Sequence, residues 1–117
     1  MSLQRYLLRY GLIITILTFW SASYGQVVYS TKYSTDANVK IFVTQYKTGA
    51  DLIVYKTQYK SEADKNNGIW YFTEYASEAK KKIFFTDFKS DADLVIYLTE
   101  NKSEAGWQSK DKQQIMY

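Results

Sequence analysis

The sequence predicts an all-β domain of six or seven short strand–turn repeats in a small curled or closed sheet. One observation is a threonine with an aromatic ring two residues later, at Thr31/Tyr33, Thr44/Tyr46, Thr57/Tyr59, Thr73/Tyr75 and Thr86/Phe88. A second is an alanine that closes every copy, at Ala37, Ala50, Ala63, Ala79, Ala92 and Ala105. A third is the alternation of aromatic and β-branched residues before each threonine, which a pleated sheet favours. The repeat is therefore the main evidence for the architecture, ahead of any single motif.

The spacing of the copies is regular. Subtracting residue numbers gives steps of 13, 13, 16, 13 and 13 for both the threonines and the alanines, with Asn101 in the ring position of the sixth copy, after Thr99. An insertion around Lys65 to Gly68 accounts for the longer step. A coarser period of 42 is also present, because ADLIVY at 50–55 returns as ADLVIY at 92–97.

Residues 1–25 have the pattern of a secretory signal peptide. Arg5 and Arg9 are followed by an apolar run, 12–20, and by small residues that fit cleavage after Gly25. The alternative is an uncleaved membrane anchor, but the run is shorter than the ~20 residues that span a bilayer. We therefore expect an exported domain over 26–117, secreted or periplasmic, with no membrane span after cleavage.

The composition argues against several functions. The chain has 15 Lys and Arg against 12 Asp and Glu, so removing Arg5 and Arg9 lowers the net charge from +3 to +1. A near-neutral domain lacks the basic footprint of nucleic-acid binding. The chain has no His and no Cys, which removes the usual general base and the commonest transition-metal ligands. We expect no enzymatic activity, no catalytic residues, no cofactor and no metal.

Each copy reads as a strand followed by a tight polar turn. In the strand before Thr57, alternation places Tyr55, Thr57 and Tyr59 on one face and Val54, Lys56 and Gln58 on the other. A serine or threonine two residues before each alanine, mostly followed by an acid, is expected to cap one short helical turn. The intervals between strands, roughly six or seven residues, are too short for a crossover helix.

Two segments depart from the repeat. DKNNG at 64–68 lacks the ligand ladder of a calcium loop, and we expect a hairpin or bulge with Asn67 and Gly68 at positive φ. In the segment 106–117, Trp107 is expected to plug an end of the sheet and IMY at 115–117 to add an edge strand.

The chain resembles the septoil-knot family of small bacterial domains. The resemblance rests on the iterated Thr-x-Tyr-x-Ser-Glu-Ala-Asp unit, on IWYFTEY at 69–75 after the NNG insertion, and on SEAGW at 103–107. It spans the chain from about Val28 to the C-terminus and implies a compact, mostly β fold with seven crossings. The chain departs from the pattern at Asn101 and at Gly49, where the acid is missing. The resemblance implies no activity and no functional residue.

The aromatic residues and the acids are the candidate functional groups. Exposed rings such as Tyr46, Tyr59 and Tyr75 could stack on a ligand, whereas the alternative is a packed face in which rings and threonines pair across strands. A small domain needs large side chains in its core, which favours the packed face. The acids recur at one turn position, which favours caps over a catalytic pair.

The first functional hypothesis is an exported, non-enzymatic structural or interaction domain, most simply a monomer. The second is a carbohydrate or cell-envelope ligand module that uses Tyr46, Tyr59 and Tyr75, with an envelope glycan or protein as partner. Solvent exposure of three or more neighbouring rings is the observation that favours the second.

Overall fold

The computed structural model describes residues 26–117, and the predicted signal segment 1–25 lies outside the described residues. The strands are β1 Val27–Ser30, β2 Val39–Val43, β3 Leu52–Lys56, β4 Ile69–Phe72, β5 Lys81–Phe85, β6 Leu94–Thr99 and β7 Gly106–Trp107. Short 3₁₀ turns, numbered 1 to 6, follow the first six strands at Ser34–Asp36, Lys47–Gly49, Lys60–Glu62, Ala76–Glu78, Lys89–Asp91 and Lys102–Glu104. A longer 3₁₀ helix, Lys110–Met116, ends the chain. The all-β repeat architecture is therefore confirmed.

The first six strands close into a parallel barrel. The order around the barrel is β4-β1-β5-β2-β6-β3, and β3 pairs with β4 to close it. The small seventh strand runs antiparallel beside β3. Strands β1 to β3 thus alternate with β4 to β6, so the second half of the repeat fills the gaps that the first half leaves.

Consecutive strands are strongly staggered along the barrel, so the end of one strand lies level with the start of the next and a short connection can join them. The last residue of β1, Ser30, and the first of β2, Val39, both pair with Ile83 of β5. Likewise Val43 and Leu52 flank Ile96 of β6. These two connections therefore each cross one intervening strand, and the strands that they join lie roughly 10 Å apart. The connection from β3 leads instead to β4, which is its direct neighbour. A crossover helix is unnecessary for this reason.

The barrel interior consists of aliphatic residues and one tryptophan. The side chains three residues before each repeat threonine are fully buried and form a layer of Val28, Ile41, Val54, Trp70, Ile83 and Ile96. A second layer toward the amino ends of the strands contains Val39, Leu52 and Leu94, and Met116 packs with this core. The core side chains therefore lie on the strand face opposite the one that carries the repeat threonines and the aromatic residues two positions before them.

The outer face carries the other aromatic series. The residue two positions before each repeat threonine is half-buried in every copy, namely Tyr29, Phe42, Tyr55, Tyr71, Phe84 and Tyr97. The Lys47 ammonium lies 5.7 Å from the centre of the Tyr97 ring. The connection from β2 to β3 therefore covers the outer aromatic of β6, the strand that it crosses.

Two local predictions are corrected. The segment 64–68 is not a hairpin, since β3 and β4 run parallel, and only its glycine has positive φ (Gly68, φ 87°). Residues 115–117 form no edge strand, because the C-terminal 3₁₀ helix carries Met116 into the core. Trp107 is half-buried in β7, and its indole N–H donates to the Asn66 carbonyl at 3.1 Å.

Candidate ligand-binding rim

The carboxyl ends of the parallel strands share one end of the barrel, here called the rim. In a parallel barrel this end collects the loops that follow the strands. Among residues 26–117, every exposed large apolar side chain except Tyr117 belongs to a position directly before or two residues after a repeat threonine. These side chains are Tyr33, Val43, Tyr46, Tyr59, Tyr75, Phe85, Phe88 and Leu98. The barrel therefore concentrates its exposed apolar surface at the rim.

The rings predicted as ligand contacts are exposed. Tyr46, Tyr59 and Tyr75 are 74%, 67% and 64% accessible, and Tyr33 and Phe88 are similar. The packed-face interpretation is wrong for these five rings, which we call the aromatic rim. The reason is that a residue two positions past the repeat threonine lies beyond the strand, at the N-cap of the following turn.

The repeat threonine fixes the backbone of each ring residue. In all six copies its hydroxyl accepts the backbone N–H of the residue two positions later, at 3.1 to 3.3 Å. The hydroxyls of Thr57 and Thr73 also donate to Glu62 and Glu78 of the same turn. The predicted serine cap is wrong, because no turn has a side-chain cap hydrogen bond. The rings are therefore held alike from copy to copy.

Ion pairs join neighbouring turns along half of the rim. The lysine that opens one turn pairs with the glutamate that closes the next, as Lys47–Glu104, Lys102–Glu62 and Lys60–Glu78. The hydrogen bond from Lys102, with that from Thr57, holds the pKa of Glu62 below its usual value. The hydrogen bond from Lys47, with that from Asn101, lowers the pKa of Glu104 in the same way.

The other half of the rim lacks this ladder because the sequence changes at the two turn positions. Gly49 stands where repeat 2 should have its acid, and Ser34 and Ala76 stand where repeats 1 and 4 should have their lysine. Across residues 26–117 no ion pair bridges turns 4 and 1, 1 and 5, or 5 and 2.

Two grooves open in the half without ion pairs. One, of about 390 Å³, is lined by Phe42, Val43, Thr44, Gln45, Tyr46 and Lys89. The other, of about 520 Å³, lies between repeats 1 and 4 and contains Tyr33, Asp36, Ala76 and Lys82. In each groove a ring of the aromatic rim lies beside the first residue of the neighbouring turn.

Two phenylalanine rings of neighbouring repeats stack at the rim, and one of them packs against the core. The Phe72 and Phe85 rings stack with centroids 6.3 Å apart, and Lys56 Nζ lies 5.0 Å from the centre of the Phe72 ring. Trp70 lies beneath, 6.2 Å from Phe72. The interior itself is filled by fully buried side chains.

The sequence reasoning missed a second set of polar residues, those that follow the closing alanines. Asn38, Asp51 and Asp93 each accept, at 2.9 Å, a backbone N–H from the strand that the preceding connection has crossed. Asp51 also accepts from the Ser109 hydroxyl at 2.8 Å. Burial opposes ionisation of Asp51, but its bonds to Val95, Ser109 and Lys112 together lower its pKa. The return of ADLIVY as ADLVIY was the available signal.

Several carboxylates take part in structural contacts. The glutamates of the ion pairs serve adjacent turns, and the aspartates after the alanines bind backbone. Within residues 26–117 no group of three or more Asp or Glu side chains is placed to hold a metal ion.

A closed parallel barrel in which two halves of the chain interleave strand by strand defines a class of knotted all-β domains. The chain matches the model of the 7(1) septoil knot domain over residues 25–108, well over half of its length, and it belongs to that family. No curated protein and no solved structure was found to match. In the described part of the chain, no helix has the length and apolar character needed to cross a membrane.

Proposed function

We propose that this domain is an exported, non-enzymatic binding module whose aromatic rim recognises carbohydrate of the cell envelope. The observation that supports the proposal is the exposure of Tyr46, Tyr59 and Tyr75, each near two thirds or more, at one end of the barrel. Tyr59 and Tyr75 lie on adjacent repeats, whereas the repeat of Asn101 separates Tyr46 from Tyr59, and Tyr46 follows Tyr75, Tyr33 and Phe88 around the other side of the barrel. Exposed apolar surface gathered in one region marks interaction sites.

The rings suit carbohydrate because a flat aromatic face can pack against the C–H face of a sugar. The threonine hydroxyls fix the backbone of the ring residues. Ligand binding would therefore cost little backbone entropy. Polar side chains such as Gln45 stand beside the rings and can bond sugar hydroxyls.

A nucleic-acid ligand is less compatible with the charges. Three of the lysines that open the turns, Lys47, Lys60 and Lys102, are paired with glutamates. The affinity of proteins for nucleic acid depends on lysines and arginines that are available to phosphates.

The experiment is retention of the purified protein on insoluble envelope polysaccharide. A variant with Tyr46→Ala, Tyr59→Ala and Tyr75→Ala should lose retention and keep its circular dichroism spectrum, since the rings are exposed. Tyr117→Ala, which removes an exposed ring outside the rim, is the matched control. Equal retention of all three proteins would reject the proposal and favour an inert structural domain.

A further inference from the structure

We infer that the principal sugar subsite is at Tyr46 and that it takes an acidic sugar, whose ring stacks on Tyr46 and whose carboxylate pairs with Lys89. This inference rests on the proposed function and specifies its ligand. It follows from comparing the six junctions between neighbouring turns.

At three junctions an ion pair spans the place where a ligand would lie. Tyr59 precedes Glu62, which pairs with Lys102, and Tyr75 precedes Glu78, whose carboxylate lies 3.7 Å from Lys60 Nζ. The third pair, Lys47–Glu104, lies beside Asn101, where the ring itself is missing. These junctions have either no ring or a lysine that is already neutralised.

The junction at Tyr46 keeps the ring and the lysine but lacks the acid. Lys89 opens turn 5 as Lys102 opens turn 6, and it lines the groove with Tyr46 and Val43. The residue equivalent to Glu62 is Gly49, and among residues 26–117 no carboxylate is within salt-bridge distance of Lys89. The groove therefore presents an ammonium without its usual partner, next to an exposed ring.

The remaining two junctions are less suited to an anion. The groove at Tyr33 contains the Asp36 carboxylate as well as Lys82. The junction at Phe88 has Asp91 on its own turn and Ser34 on the neighbouring one, so it carries an acid and no opening lysine. Charge complementarity thus selects Tyr46 and an anionic ligand.

The test restores the missing acid. A Cβ built on Gly49 meets no atom within 4 Å, and the residue has no positive φ, so Gly49→Glu fits the turn without strain. Its carboxylate would lie where Glu62 and Glu104 lie and would pair with Lys89. We expect this substitution to weaken binding of tetragalacturonate at least tenfold while thermal stability is kept or raised.

Binding is followed by NMR titration of the full protein with tetragalacturonate and, as the neutral probe, maltotetraose. The resonances of the Tyr46 ring should move with the first and much less with the second. Thr48→Glu is the matched control, because it adds the same charge to the same turn at a position that carries no acid in any repeat. It should change the affinity less than threefold.

Two results would overturn the inference and leave the proposed function standing. One is unchanged tetragalacturonate binding in Gly49→Glu, and the other is a greater loss of binding from Tyr59→Ala than from Tyr46→Ala. If neither saccharide moves any ring resonance of the rim and envelope polysaccharide does not retain the protein, the proposed function fails together with the inference.

Discussion

Single residues fix the backbone of the turns and of the strand starts through side-chain hydrogen bonds. The repeat threonines accept the N–H of the ring residue, and Asn38, Asp51 and Asp93 accept the N–H of a crossed strand. These bonds lie at exposed or half-buried positions, so each contributes about 0.5–1.5 kcal/mol, the net value of an ordinary hydrogen bond. The threonine recurs in all six copies, whereas the position after the closing alanine accepts such a bond in three of them, at Asn38, Asp51 and Asp93.

Lowering the pH should destabilise the folded domain, because it protonates the glutamates of the ion pairs between turns. The pKa values of Glu62 and Glu104 are lowered by their bonds to Lys102 and Lys47. A carboxylate whose folded pKa lies below its unfolded value, about 4.3 for Glu, stabilises the fold above that value and loses the contribution as pH falls through the folded pKa. The melting temperature should therefore fall between about pH 5 and pH 3.

The variant with Glu62→Gln and Glu104→Gln should melt below the wild type at pH 6 and near it at pH 3. Glu74→Gln, an exposed acid outside the turn–turn pairs, should follow the wild-type curve. A melting-temperature difference between the double variant and wild type that does not depend on pH would contradict the assignment.

At the scale of elements, each copy is a strand plus a turn, and the connections that follow β1, β2, β4 and β5 cross one neighbouring strand, whereas β3 leads to its direct neighbour β4. The turns are nearly identical, and Ala50 N–H donates to Lys47 O as the equivalent alanines do in the other copies. The exception is the insertion before β4, where Gly68 lies in the left-handed region against β3 and β7.

The two glycines Gly68 and Gly49 should respond in opposite directions to alanine. A Cβ on Gly68 would lie 2.4 Å from the Ile53 carbonyl oxygen and 2.9 Å from Gly106 N, at a φ of +87°, so Gly68→Ala should prevent folding or cost several kcal/mol. Gly49→Ala meets no neighbour and should stabilise by about 0.4–1 kcal/mol. Urea denaturation measures both, and a similar change in the two variants would refute this account.

The strands, the turns and their number could be predicted from the sequence, because alternation and repeat spacing depend only on residues close together in the chain. It was not sufficient for strand order, because near-identical strands such as β2 and β5 carry no signal for which neighbour each one takes. The packed face that core demand favours for rings such as Tyr46 is wrong, because alternation does not tell which face of the sheet closes inward. The barrel interior is narrow, and branched aliphatic side chains such as Ile41 and Ile83 fill it, which leaves the rings outside. The role of Gly49 depends on Lys89 of the neighbouring turn, and that neighbour is known only once the strand order is known.

At the scale of the whole molecule, every parallel pairing joins a strand of the first half to one of the second. Strand β1 pairs with β4 and β5, β2 with β5 and β6, and β3 with β6 and β4. Such contacts are remote in sequence, and folding rates fall as the sequence separation of contacts rises. Threading of a knotted chain adds to that delay.

We therefore expect refolding from denaturant in seconds or longer and unfolding that is slow enough to confer kinetic stability. Stopped-flow tryptophan fluorescence is a suitable probe because Trp70 is fully buried in the barrel. Complete and reversible refolding within milliseconds would contradict both expectations.

The interleaving also governs what happens while the chain is being synthesised. A nascent segment that ends before Ile69 contains β1 to β3, yet none of their hydrogen-bonding partners has arrived. The strands of that segment therefore stay unpaired until β4 to β6 have been made. In a crowded compartment its open edges would also accept the later strands of another molecule, so this topology makes exchange of halves between copies the characteristic misfolding hazard.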